Sequence, residues 1–205
     1  MTKRVLLAGL LGGIAMYVWT SVAHLALPLG QAGIKEIPNE TAVLSAMRSS
    51  LGDSSGLYFF PGTGLGPDAT AQQRQAAMRQ QEQKVATEPG GILMYNPPGA
   101  LAFSPGKLMI EFVKELIEAL LVVILLAQTQ LASFAARLGF VVMAGVMAAI
   151  GTNVSYWNWY GFPSAYTLAY MTTDIVGFIC VGLIAAAIIK PDQAGAMSAP
   201  PQARG

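Results

Sequence analysis

The sequence predicts an all-α membrane protein, a bundle of four transmembrane helices with a small α+β extracytoplasmic domain inserted between helices 1 and 2. Composition is the first reason: 54% of the 205 residues are hydrophobic and 11% are charged, against about 25% charged in an ordinary soluble domain. Mean hydropathy is +0.50. The second reason is arrangement. Four apolar runs are separated by a single polar stretch, Pro28 to Gly106, of about 79 residues, which is too long for an idle connection. The third is the run from Lys107 to Gln128, which is apolar and charged at once.

The first span, 5–27, follows Lys3 and Arg4 and is long enough to cross a bilayer. Ser21-Val22-Ala23 would suit a signal-peptide cleavage site, but the length of the run, Tyr17, Trp19 and three later apolar segments favour a retained helix. Gly9 and Gly13 form a small-xxx-small pair that admits a neighbouring helix closely. Residues 28–106 form the inserted domain. Asn39 after Pro38 reads as the N-cap of a helix to Leu51, with Val43, Met47 and Leu51 on one face. Gly56 to Phe60 and Gly91 to Tyr95 read as short strands stopped by turn residues, and their shared pattern predicts that they pair. Between them Asp68 to Glu88 reads as a mostly solvated helix with Ala71, Met78 and Val85 on a narrow stripe. A unit this small has little core and needs support from a neighbour.

The second span, 107–128, has a cleanly apolar part from Ala119 to Ala127. That part would cover only about 14 Å of a bilayer core of roughly 30 Å. The membrane segment must therefore include Lys107, Glu111, Lys114, Glu115 and Glu118, which fall within roughly 100° of one helix face. Lipid meets the apolar back, and the charges must face protein or trapped water. The third span, 138–157, has a small-residue surface including Gly139, Gly145 and Gly151, suited to tight packing. Tyr156 to Pro163 is an aromatic girdle around a short turn. The fourth span is 165–189, and 190–205 reads as a disordered cytoplasmic tail.

Lys3, Arg4, Arg137 and Lys190 flank the spans on one side. The positive-inside rule then predicts a multi-pass protein of the cell membrane with both termini cytoplasmic and 28–106 outside. Counting about 1.5 Å per residue from the outer edge puts Glu111, Glu115, Glu118, His24, Asn153 and Asp174 all in the outer half of the membrane. These six are the candidate ligand- or proton-binding residues. Lys107 with Glu111, and Lys114 with Glu118, are the expected structural pairs at i,i+4, and Asp174 is expected to be capped by Thr172, Thr173 or Asn153. Two lysines against three glutamates leave a carboxylate over before Asp174 is counted. A proton, His24 or a bound cation would supply the missing charge. His24, Glu115 and Glu118 are the nearest thing to metal ligands, but no fixed ligand spacing relates them, and no cofactor is predicted.

A net charge of +1 and the lack of a basic tract set nucleic acid aside. The single Cys180 excludes an internal disulfide and every paired-thiol redox motif. The order of four spans with one large first outer loop resembles claudins and tetraspanins in topology alone, since their outer cysteines are absent. The reading is a non-enzymatic binding, sensing or assembly subunit whose partners are the lipid bilayer and another membrane protein or a second copy. The alternatives are an oligomeric transporter of protons, cations or small polar solutes, and a metal-dependent membrane enzyme.

Overall fold

A computed structural model describes residues 3–100 and 103–190; the tail expected at 190–205 lies, beyond Lys190, outside the described residues. In chain order the elements are α1 (Lys3–Leu25), a 3-10 turn (Pro28–Gln31), α2 (Glu40–Leu51), β1 (Gly56–Phe60), α3 (Ala71–Thr87), β2 (Gly91–Tyr95), α4 (Pro105–Ala127), α5 (Phe134–Tyr160) and α6 (Ser164–Ile188). Three helices, α1, α5 and α6, are long and apolar enough to cross a membrane. α4 has the length, 23 residues, but carries the charged stripe.

Two compact units divide the chain. The larger comprises 1–34, 104–158 and 162–205, and its described core is one cluster fed by α1 (Val5, Ala8, Met16), α4 (Ala119, Val122, Val123, Leu126), α5 (Val141) and α6 (Phe178, Val181, Ala185). α1 lies between α4 and α6. Gly9 and Gly13 turn to α4, where an added Cβ on Gly13 would stand 2.8 Å from the Leu116 Cα. The small-xxx-small pair is thus used inside the chain and is not left free to join a second copy. α5 packs on α6 by seating Phe178 against Gly145, while Gly139 and Gly151 face open space. α4 turns Ile110, Val113, Ile117, Leu121 and Leu125 outward; their spacing of three or four residues is that of one helix face, the apolar back expected of a lipid-facing helix.

The inserted domain is expected to begin at Pro28, but residues 28–34 belong to the larger unit. The 3-10 turn packs against both α1 and α6. Gly33 makes this possible: its φ of +76° is one that side-chain-bearing residues rarely adopt, and a Cβ there would meet the Tyr166 backbone nitrogen at 2.8 Å.

The smaller unit comprises Lys35–Phe103 with Trp159–Gly161. β1 and β2 pair antiparallel, Gly56 opposite Tyr95 and Phe60 opposite Gly91, which is the pairing that their similar patterns imply. α2 places Val43, Met47 and Leu51 half-buried along one face. Asn39 holds the expected N-cap position of α2, its carbonyl accepting from the Ala42 and Val43 N–H groups at 3.1 and 3.4 Å, but in a left-handed conformation, φ 53°, which asparagine tolerates, and without a side-chain capping bond. α3 is capped by Thr70, whose hydroxyl accepts from the Gln73 N–H at 3.2 Å while the Gln73 side chain accepts from the Thr70 N–H at 2.8 Å. Its expected stripe is not buried: Met78 and Val85 are exposed, and Ala77 is the residue that packs. The tyrosines do much of the tying, Tyr95 donating to the Gly52 carbonyl and Tyr58 to that of Ser54, both at 2.7 Å.

Candidate binding site

Ser104 and Pro105 begin α4, with proline in the first turn where its missing N–H costs no hydrogen bond. From there no proline interrupts the helix, so the charged side chains fall on one face at successive turns. Lys114 is the centre of that face. Its Nζ lies 2.8 Å from Glu111, 3.9 Å from Glu115 and 4.0 Å from Glu118. Glu111 is therefore held by Lys114 at i,i+3, and one ammonium serves three carboxylates. The expected Lys114–Glu118 contact at i,i+4 forms at 4.0 Å, and Lys114 also takes Glu111 at 2.8 Å, because a lysine at position 114 reaches one turn in both directions.

Glu115 is the residue that this face buries. It is fully enclosed, 0% exposed, and neither carboxylate oxygen has a hydrogen-bond partner among the described residues. The Thr20 hydroxyl of α1 faces it at the edge of hydrogen-bonding range. Its burial follows from Gly13: the same close crossing that brings α1 onto Leu116 sets Gly13 3.3 Å, measured from an added Cβ, from the Glu115 carbonyl oxygen. A larger residue at 13 would hold α1 off and open Glu115 to its surroundings.

Glu115 lines a cavity of about 470 Å³ between α1, α4 and α6. Tyr17, Thr20 and His24 come from α1, Glu111 and Lys114 from α4, Tyr170 and Asp174 from α6. The cavity thus joins four of the six residues singled out from sequence: His24, Glu111, Glu115 and Asp174. Asn153 stands behind it, buried on α5, donating to Asp174 Oδ2 at 3.2 Å and to the Ala149 carbonyl at 3.0 Å. Of the three capping candidates for Asp174, Asn153 is the one that bonds it, since Thr172 and Thr173 donate to carbonyls of their own helix. Glu118 is half-exposed beside Lys114 and does not line the cavity. Among the described residues no group of three or more His, Cys, Asp and Glu is placed to hold a metal, so His24, Glu115 and Glu118 do not assemble as a ligand set.

Sequence reasoning missed the aromatic contribution. Tyr156, Phe162, Tyr166 and Tyr170 touch in series, with ring centroids 5.4, 5.3 and 4.2 Å apart, the last pair stacked, and Tyr170 meets the His24 ring edge-on at 5.8 Å. The girdle is read correctly as amphipathic rings around a turn, but Tyr166 and Tyr170 one turn apart on α6 extend it to the cavity. Their i,i+4 spacing was the available signal. His24 donates from Nδ1 to the Thr20 carbonyl, 2.9 Å away. Trp19 donates to the Thr173 carbonyl at 2.9 Å and ties α1 to α6 beside the cavity.

The lining is acidic on balance and partly aromatic. Three carboxylates and one ammonium face a space with two tyrosine rings at its wall, and its volume lies within the few hundred to about 1,000 Å³ usual for small-ligand sites. Comparison of the chain with protein families, with curated proteins and with solved structures found no match.

Proposed function

We propose that the chain is a four-span membrane protein that binds a small organic cation of the ammonium type in this cavity, acting as a binding or sensing subunit and not as an enzyme. In this reading α4 also crosses the membrane, as the second of four spans, both termini are cytoplasmic, and residues 35–103 lie outside. One observation carries the proposal. Glu115 is a fully buried carboxylate whose nearby ammonium, Lys114 Nζ at 3.9 Å, is shared with Glu111 and Glu118, and it lines a space that carries excess negative charge. Burying a carboxylate with only a share of one ammonium costs several kcal/mol, and a bound cation offsets that cost. An ammonium group suits the space better than a bare metal ion, since the tyrosine faces attract organic cations.

The same helices argue against a conduction path. Beyond Glu118 the interior is closed by Val122, Val123, Leu126, Val181 and Ala185, all buried. A transported cation would have to part this apolar plug, whereas a bound one need not.

The test uses the full chain in mild detergent with propylammonium chloride as probe and sodium chloride at matched ionic strength as reference. A saturating probe raises the unfolding midpoint of the wild type by about 2–3 kcal/mol equivalent. Glu115→Leu raises the midpoint without probe, because a well-packed apolar residue in place of a buried ion is neutral or stabilising by about 1–4 kcal/mol, and it abolishes the probe response. Equal midpoints in the two salts, or a response that survives Glu115→Leu, refute the proposal. Accumulation of labelled propylammonium in reconstituted vesicles would replace it with the transporter.

A further inference from the structure

The larger unit has a second cavity, at the end of the helices remote from Glu115. It measures about 400 Å³ and is formed by the start of α1, the end of α4, the turn that follows, the first turn of α5 and the residues after α6. Four cations line it: Lys3, Arg4, Arg137 and Lys190. None of the described lining residues is acidic, and among the described residues none of the four takes part in an ion pair. Helix dipoles do not offset this charge. α1 and α5 begin at this end while α4 and α6 finish there, so two positive and two negative helix ends cancel and four whole charges remain.

Arg137 fixes the pocket floor. Buried on α5, it donates from Nε and Nη2 to the Ala186 carbonyl at 3.1 and 3.0 Å, and from Nη1 to the carbonyls of Leu131 and Ala132 at 3.1 and 2.6 Å. Neutral carbonyls orient the guanidinium and leave its charge in place. Lys3, Arg4 and Lys190 are exposed around it. Val5, Leu126, Leu131 and Ile189 line the same space, so a strongly basic site has an apolar side.

We infer that this pocket binds the phosphate group of an anionic phospholipid, its acyl chains lying along the apolar side. Phosphate is the shared chemistry of a lipid headgroup and the free anion. The apolar lining and the position at the ends of three membrane-length helices, where headgroups reside, select the lipid. The inference is independent of the acidic cavity and needs only that the helices sit in a bilayer.

The experiment is native mass spectrometry of the full chain from mild detergent doped with equal amounts of phosphatidylglycerol and phosphatidylcholine of matched chains. The wild type retains phosphatidylglycerol in preference. The double variant Arg4→Gln/Lys190→Gln, which spares the carbonyl-bonded Arg137, lowers that preference about thirty-fold, roughly fivefold for each cation removed near an anionic headgroup. Its unfolding midpoint in phosphatidylcholine alone stays that of the wild type. Lys35→Gln/Lys84→Gln, in the smaller unit, leaves the preference unchanged. Equal retention of the two lipids by the wild type overturns the inference whatever the variants do. An undiminished preference in the double variant overturns it too. Displacement of phosphatidylglycerol by millimolar inorganic phosphate, with equal stabilisation, assigns the pocket to the free anion and overturns the lipid.

Discussion

Arg137 joins three stretches of chain with one side chain. Its planar fork reaches the end of α6, 49 positions away in sequence, and two carbonyls of the turn before α5. Lysine, with a single ammonium, cannot reproduce that geometry. Arg137→Lys should therefore lower stability by on the order of 2–3 kcal/mol, since hydrogen bonds to charged groups contribute about 1.5–3 kcal/mol each and at least one buried carbonyl loses its donor. Denaturant unfolding in detergent measures it; a change below 0.5 kcal/mol, roughly that of a surface substitution, would show that the carbonyls find other donors. In the sequence this arginine is legible only as a flanking charge. Its burial depends on which carbonyls end nearby, a long-range matter that no local pattern encodes. Glu115 is a similar case. Periodicity puts it on the charged face together with Glu111 and Glu118, but only the glycine opposite, on another helix, makes it the enclosed one.

The crossing of α1 over α4 governs the site more than any single charge does. Gly13→Leu must displace Leu116 and the α4 backbone, and overpacking of this kind costs about 1–3 kcal/mol. The expected result is a lower unfolding midpoint together with faster hydrogen exchange in the middle of α4. Gly151→Leu on α5, where a side chain meets open space, should shift the midpoint little; equal effects would mean that the two faces are packed alike. Helices and strands were largely legible because hydrophobic periodicity is local: α1, α4, α5 and α6 begin and end within a few residues of the apolar runs, and β1 with β2 matches the two turn-bounded segments. In the small unit α3 is the mostly solvated helix expected and Asn39 holds the N-cap position, without its side-chain bond. With so little buried surface, a Thr70–Gln73 capping box and tyrosine hydrogen bonds carry much of the order there. The sheet keeps an apolar face, Leu57 and Met94 opposite one another at 66% and 72% exposed, which is unusual for a surface with no neighbour.

The proposed topology makes the chain alternate across the bilayer four times, with acid gathered at one end of the larger unit and base at the other. Single cysteines at Ser55 and Gln72, in a Cys180→Ala background, should react with a membrane-impermeant maleimide on intact cells. Both positions are exposed, so labelling confined to lysed cells would invert the orientation. Composition made the membrane class legible, and the order of polar and apolar stretches made the division into two parts legible. The meeting of His24, Glu111, Glu115 and Asp174 at one cavity was anticipated from their common depth alone. That Glu118 stays apart, and that the basic residues close on a pocket of their own, required the helices to be assembled. Such a molecule carries a permanent electric moment along the bilayer normal. In the proposed orientation an inside-negative voltage draws the basic end inward and the acidic end outward, so both favour the same alignment, and each elementary charge that spans the full drop is worth about 2.3 kcal/mol per 100 mV. An energised membrane would thus hold the protein in its inserted orientation more firmly than a depolarised one.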